Sequence, residues 1–105
     1  MNPMEGLRFI DANEFDAMRS RGDRAVVAFV ATWNRRCQDF AGNYRALGAR
    51  HAAVPVVCID VDENVKLTGA LDVFSVPTIL VIAGGREVHR EVGLDLGAVE
   101  AMLAR

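Results

Sequence analysis

Apolar positions cluster in runs that divide the chain at fairly regular intervals. Three runs are apolar almost throughout, at residues 24–31, 54–61 and 79–83. Such valine- and isoleucine-rich runs are typical of strands buried on both faces, in the middle of a sheet. A more polar segment, 87–92, follows the two-residue hairpin signal Gly84-Gly85. It is therefore predicted to pair antiparallel with the third run.

Four segments outside these runs have the spacing of apolar residues that is typical of helices. Asp11 and Glu14 form a capping-box pattern at the start of the first segment, with Asp11 accepting from the first turn and Glu14 reaching back. Inward-facing positions then recur three and four residues apart, as expected for amphipathic helices. In chain order these positions are Phe15 and Met18; Phe40, Tyr44, Leu47 and His51; Val65, Ala70 and Leu71; and Leu96, Val99, Met102 and Leu103.

A short apolar patch at Leu7, Phe9 and Ile10 adds an edge strand before the first helix. The resulting element order, βαβαβαββα, predicts an α/β domain with a mixed sheet of five strands flanked by four helices. A chain of 105 residues can bury one core and is too short for two. We therefore expect a single domain over residues 1–105.

Composition and charge exclude several classes of function. The net charge of −2 gives no basic field for nucleic acid or an anionic membrane surface. The N-terminus lacks a secretory signal pattern, and no apolar run reaches membrane-spanning length, so a cytoplasmic location is expected. Cys37 and Cys58 are too few and too oddly spaced for a disulfide framework or a zinc site. Neither a metal nor a cofactor is predicted.

The candidate site lies between the first apolar run and the helix that follows it. Trp33, a short polar loop and Cys37 fall at this strand-to-helix junction. Ligand sites of α/β folds concentrate at such junctions, where helix amide groups point out of the sheet.

Four features of the chain resemble the thioredoxin family. Val26 to Trp33 resembles the strand that runs into the tryptophan of Trp-Cys-Gly-Pro-Cys, and Cys37 falls where the second cysteine of that motif belongs. Val76-Pro77-Thr78 resembles the loop that carries the family's cis-proline. Gly84-Gly85 and Gly93 fit the final hairpin and the glycine before the last helix. The resemblance covers nearly the whole chain and implies a thioredoxin fold.

The departures from the family pattern affect its chemistry. Asn34 stands where thioredoxins have their first cysteine, and Arg35 and Arg36 replace glycine and proline. By the same resemblance, Ala28 matches the family's buried aspartate, which assists proton transfer, and Val56 matches the lysine that accompanies it. Disulfide reduction needs an exposed thiolate that attacks and a second thiol that resolves the mixed disulfide. An amide can do neither, so ordinary dithiol-disulfide reductase activity is not expected.

Two functions of different class remain open from the sequence. In the first, the chain is not an enzyme, and a peptide or protein client binds in the groove. The groove residues are Trp33, Val76, Pro77 and Gly93, with Arg35 and Arg36 adding positive charge that could attract an acidic partner or could simply be solvated.

In the second, the chain is a redox protein that uses Cys37 as a monothiol or with another thiol such as Cys58. The helix N-terminus and the two arginines would favour a Cys37 thiolate, whereas a shielded Cys37 would be inert packing. The sequence gives no indication of the oligomeric state.

Overall fold

The computed structural model describes residues 2–104, which form four helices and a four-stranded sheet. In chain order the elements are α1 (Ala12–Arg21), β1 (Ala25–Val30), α2 (Arg35–Arg50), β2 (Val56–Asp60), α3 (Val65–Ala70), β3 (Thr78–Ala83), β4 (Arg86–Val92) and α4 (Leu96–Leu103). The predicted α/β class, with a mixed sheet and four helices, agrees with this arrangement. No helix within residues 2–104 is both long and apolar enough to cross a bilayer.

The sheet has the strand order β2-β1-β3-β4, with β1 parallel to β2 and the other neighbours antiparallel. All six residues of β1 are buried, as its uniformly apolar sequence predicted. Phe29 pairs with Thr78, and Thr78 pairs in turn with Val92. The end of β1, the start of β3 and the end of β4 therefore lie side by side at one end of the sheet.

The predicted fifth strand is reduced to a single bridge. Phe9 pairs with Cys58 in parallel, supported by hydrogen bonds from Ile10 N to Cys58 O and from Cys58 N to the carbonyl of Arg8, both 2.8 Å. Gly6 turns the chain just before this segment with a φ of 85°, and Asp11 caps α1 directly after it. Between this turn and the start of α1, only the one bridge to β2 forms, so the sheet has four strands and not five.

Residue alternation along the strands divides the core into two layers. Val26, Ala28 and Val30 face α2 and α4, whereas Val27 and Phe29 face α1 and α3. Helix α2, which begins at the candidate site, is thereby packed directly on the central strand.

Two predicted details of the helices are wrong. The carboxylate of Glu14 binds Arg8 at 3.3 Å instead of reaching back to the start of α1, although Asp11 does accept from Glu14 N at 2.9 Å. In α3, Val65 and Ala70 are predicted to face inward, but Val65 is 69% exposed and Ala70 is also exposed.

The side chain of Asn64 explains the different orientation of α3. It accepts from Ala12 N and donates to Asp60 O, both at 3.0 Å, and so fixes the start of α3 against α1 and β2. Leu67 and Leu71, four residues apart, consequently pack on the core in place of Val65 and Ala70.

Glu100 of α4 binds the end of α2 and should make stability depend on pH. Its carboxylate accepts from Arg50 at 2.9 and 3.0 Å and lies 2.7 Å from Nε2 of His51. The hydrogen bonds from Arg50, then that from His51, lower the pKa of Glu100 from 4.5 to about 2. A depressed carboxyl pKa contributes stability above the unfolded pKa, and this contribution is lost as the pH falls through the folded pKa.

We therefore expect the wild-type urea midpoint to fall between pH 4.5 and about 2, and Glu100→Gln to lack that component of the fall. Urea titrations of both proteins across this range measure the difference. Parallel pH profiles for wild type and Glu100→Gln would contradict the assignment.

Candidate functional site

Asn34 is the N-cap of α2. Its backbone is extended (φ −82°, ψ 127°), and its side-chain Oδ1 accepts a 3.1 Å hydrogen bond from the backbone N–H of Cys37. Its carbonyl accepts from Gln38 N at 3.0 Å, which closes the first turn of the helix. Asparagine is among the residues most favoured at an N-cap because its short side chain reaches these otherwise unpaired amides. Asn34 thus stabilises the start of the helix.

Cys37 lies in the first turn of α2 and has no solvent-exposed surface. Burial raises the pKa of its thiol above the ordinary value, and this outweighs the opposing effects of a hydrogen bond from the Ala31 backbone and of the charge of Arg36. Of the two alternatives left open for Cys37, this burial favours the shielded thiol over the activated thiolate. Burial therefore favours the protonated form of this thiol.

The position behind Cys37 is apolar. Ala28 is fully buried and pairs with Cys58 on β2 and with Ile79 on β3. Val56, which the resemblance matches to the family's lysine, pairs with Val26, and the β2 residue paired with Ala28 is Cys58. Burial, together with the nearby Cys37, raises the pKa of the Cys58 thiol to about 12. Both cysteines are free thiols.

The loop before β3 lies against the end of β4. The Val76–Pro77 peptide bond is cis, and Gly93 N donates to the Pro77 carbonyl at 3.0 Å. Gly93 has a φ of 114°, which L-residues rarely adopt. Within residues 2–104, neither the N–H nor the carbonyl of Val76 forms a hydrogen bond. An unpaired stretch of main chain is therefore available beside Pro77.

Large apolar side chains are exposed at this end of the sheet, where β1 ends and β3 begins. Trp33 is 70% exposed, and its indole Nε1 donates to Asp62 Oδ2 at 2.7 Å. Phe74 is 88% exposed and Val92 61% exposed. Sequence reasoning overlooked both Asp62 and Phe74. The position of Phe74 two residues before Val76 was the available signal, because a large apolar residue in a loop has no helix or strand face to bury it.

The two arginines of the site have different surroundings. Arg35 forms an ion pair with Asp39 at 3.1 Å on the exposed face of α2. Arg36 forms no ion pair with any carboxylate of residues 2–104, and its Nη2 lies 3.9 Å from the position that a Cβ atom on Gly93 would occupy. Arg36 is therefore the arginine that lies beside the groove.

Comparison with known proteins identifies the family. The family model described as Thioredoxin matches residues 7–104. The chain belongs to the thioredoxin family. It is 35% identical over 101 residues to a thioredoxin of Alicyclobacillus acidocaldarius, covering 93% of this chain and 94% of that protein. It is 32% identical over 94 residues to Thioredoxin-2 of Saccharomyces cerevisiae, covering 89% and 90%.

The predicted thioredoxin fold is confirmed, with the sheet reduced to four strands. The crystal structure of thioredoxin NaTrxh from Nicotiana alata superposes with a TM-score of 0.83 at 28% identity, covering 93% of this chain and 89% of that one. The chain also matches, at 28% identity over 109 residues, the TPR repeat-containing thioredoxin TDX of Arabidopsis thaliana, but spans only 29% of that protein's length.

Proposed function

We propose that this chain is a thioredoxin-family binding module that lacks dithiol-disulfide reductase activity and holds an extended segment of a client protein. The observation that carries the proposal is the role of Asn34. At the family's position for the attacking cysteine, this chain has an amide whose oxygen is engaged with Cys37 N at 3.1 Å. At the position where a reductase of this family needs a nucleophilic thiol, this chain therefore has the N-cap of α2.

The remaining thiols give little support to a redox function. Attack on a disulfide requires a thiolate that the substrate can reach, and a second thiol must then release the product. Cys37 and Cys58 are both fully buried, and the pKa of each is raised. A monothiol reaction at Cys37 would therefore need both exposure and deprotonation of a group that the fold protects from both.

Peptide binding depends on parts of the site that need no thiol. The unpaired main chain of Val76 offers one donor and one acceptor, which is what an extended segment requires for strand-like pairing. Trp33, Phe74 and Val92 expose apolar surface to contact its side chains. We also propose the cytoplasm as the compartment, because two unpaired cysteines are compatible with a reducing environment.

Insulin reduction driven by dithiothreitol tests the loss of chemistry. We expect the wild-type protein to reduce insulin no faster than dithiothreitol alone. Asn34→Cys is expected to gain turnover, because it places a thiol one helical turn before Cys37 and restores a dithiol pair. Turnover by the unaltered protein would overturn the proposal.

Matched variants make the insulin result specific. Asn34→Cys with Cys37→Ser keeps the new thiol but lacks the resolving one, so its turnover should return to the background. Because Asn34→Cys also removes the side-chain cap, at a cost of about 1 kcal/mol, urea unfolding of each variant must accompany the assay.

A further inference from the structure

Arg36 is an unpaired cation at the edge of an apolar groove. Its side chain is exposed, and within residues 2–104 no carboxylate neutralises it. The 3.9 Å separation between its Nη2 and the Cβ position of Gly93 places the guanidinium next to the turn that binds Pro77. The charge is therefore held beside the main chain that a client segment would contact.

Acidic side chains around the site have other partners. Asp39 pairs with Arg35, Asp62 accepts from the indole of Trp33, and Asp95 accepts from the first amides of α4. Within residues 2–104, no carboxylate therefore competes with a client's carboxylate for Arg36. A guanidinium with free donors binds carboxylates through two parallel hydrogen bonds, a geometry that an ammonium does not reproduce.

We propose that the client segment is acidic as well as apolar, with an aspartate or glutamate whose carboxylate binds Arg36 beside Gly93. Its neighbouring apolar side chains contact the exposed surfaces of Trp33, Phe74 and Val92. Side chains of an extended segment alternate in direction, so one segment can present a carboxylate to Arg36 and apolar groups to the rest of the groove. This inference rests on the proposed function and specifies its ligand.

Matched synthetic peptides test the charge preference. Three peptides of equal length alternate valine and serine and differ only in a central glutamate, glutamine or lysine. Binding is followed by the fluorescence of Trp33, the only tryptophan of the chain, and checked by calorimetry. We expect the glutamate peptide to bind about fivefold more tightly than the glutamine peptide, with the difference shrinking at high salt.

Two arginine variants locate that preference. Arg36→Gln should bind the glutamate and glutamine peptides equally. Arg35→Gln is the matched control, because Arg35 is adjacent in sequence but already paired with Asp39, and it should keep the preference. Both are exposed positions, so both variants are expected to fold normally.

The possible results separate the two proposals. Equal binding of the glutamate and glutamine peptides to wild type, tightest binding of the lysine peptide, or a preference that survives in Arg36→Gln would overturn the acidic-client inference and leave the groove proposal standing. Absence of binding by all three peptides would overturn the groove proposal and this inference with it.

Discussion

Ala28→Asp is expected to lower the free energy of unfolding by about 3–5 kcal/mol at neutral pH, because it would bury a charge that has no partner. Ala28 has no exposed surface, and its strand neighbours are Cys58 and Ile79. Within residues 2–104, the buried side chains with polar groups are Thr78, the Tyr44 hydroxyl, which donates to Val57 O, and the two cysteine thiols, and none of them is a cation. No buried cation could therefore neutralise the carboxylate, and the family's aspartate cannot be restored here without a large loss of stability.

The pH dependence of this loss has a definite sign. Burial would raise the pKa of the introduced carboxyl above its usual value of about 3.9. A group whose folded pKa exceeds its unfolded pKa destabilises the protein progressively as the pH rises between the two values. Ala28→Asp should therefore be least harmful in acid and most harmful at neutral pH.

Ala28→Asn is the control for this prediction, because it adds a side chain of the same size that does not ionise. Urea unfolding of both variants at each pH cancels the dependence that Glu100 gives to the wild type. The difference between the Asp and Asn variants should grow with pH. Equal stability of Ala28→Asp and Ala28→Asn at neutral pH would show that the core supplies a partner for the charge.

The buried framework was the part of the structure most accessible from sequence. The uniformly apolar run that became β1 predicted a strand buried on both faces, and Gly84-Gly85 predicted the hairpin between β3 and β4. These elements depend on local composition and spacing, which are visible in the sequence itself. The position of Trp33 and Cys37 at a strand-to-helix junction followed from the same pattern.

Asn34 carries a local structural signal as well as a departure from the family's chemistry. It lacks the thiol of the family's first cysteine, and the preference of asparagine for helix N-termini predicts the cap on Cys37 N that the structure contains. The same position therefore lacks the family's nucleophile and supplies the hydrogen bond that begins α2.

Other features depend on contacts between distant segments. The hydrogen bond from Trp33 to Asp62 joins residues 29 positions apart, and the side chain of Asn64 sets the orientation of α3 through Ala12. The pKa of Cys37 follows from its burial, which exists only in the folded chain.

Tyr44 fixes the helix that carries the site to the centre of the sheet. Its fully buried hydroxyl lies 2.6 Å from the carbonyl of Val57 on β2 and 3.3 Å from that of Val26 on β1, and its ring stacks on Phe40 with 5.1 Å between centroids. The hydroxyl has one proton, which it donates to Val57 O at the shorter distance. One side chain thus joins α2 to both strands of the parallel pair.

Tyr44→Ala is expected to lower the free energy of unfolding by about 3–5 kcal/mol, because it opens a cavity where a large side chain was completely buried. Tyr44→Phe keeps the ring and removes only the hydrogen bond, so about 1–2 kcal/mol is expected. Urea unfolding measures both losses, and Asn43→Ala on the exposed face of α2 should change stability by no more than about 0.5 kcal/mol.

Since Tyr44 holds α2 in place, Tyr44→Ala should also increase the rate at which an aromatic disulfide reagent labels Cys37. Unchanged labelling in a measurably destabilised Tyr44→Ala protein would mean that the start of α2 is held independently of Tyr44, through the Asn34 cap and the burial of Cys37 alone.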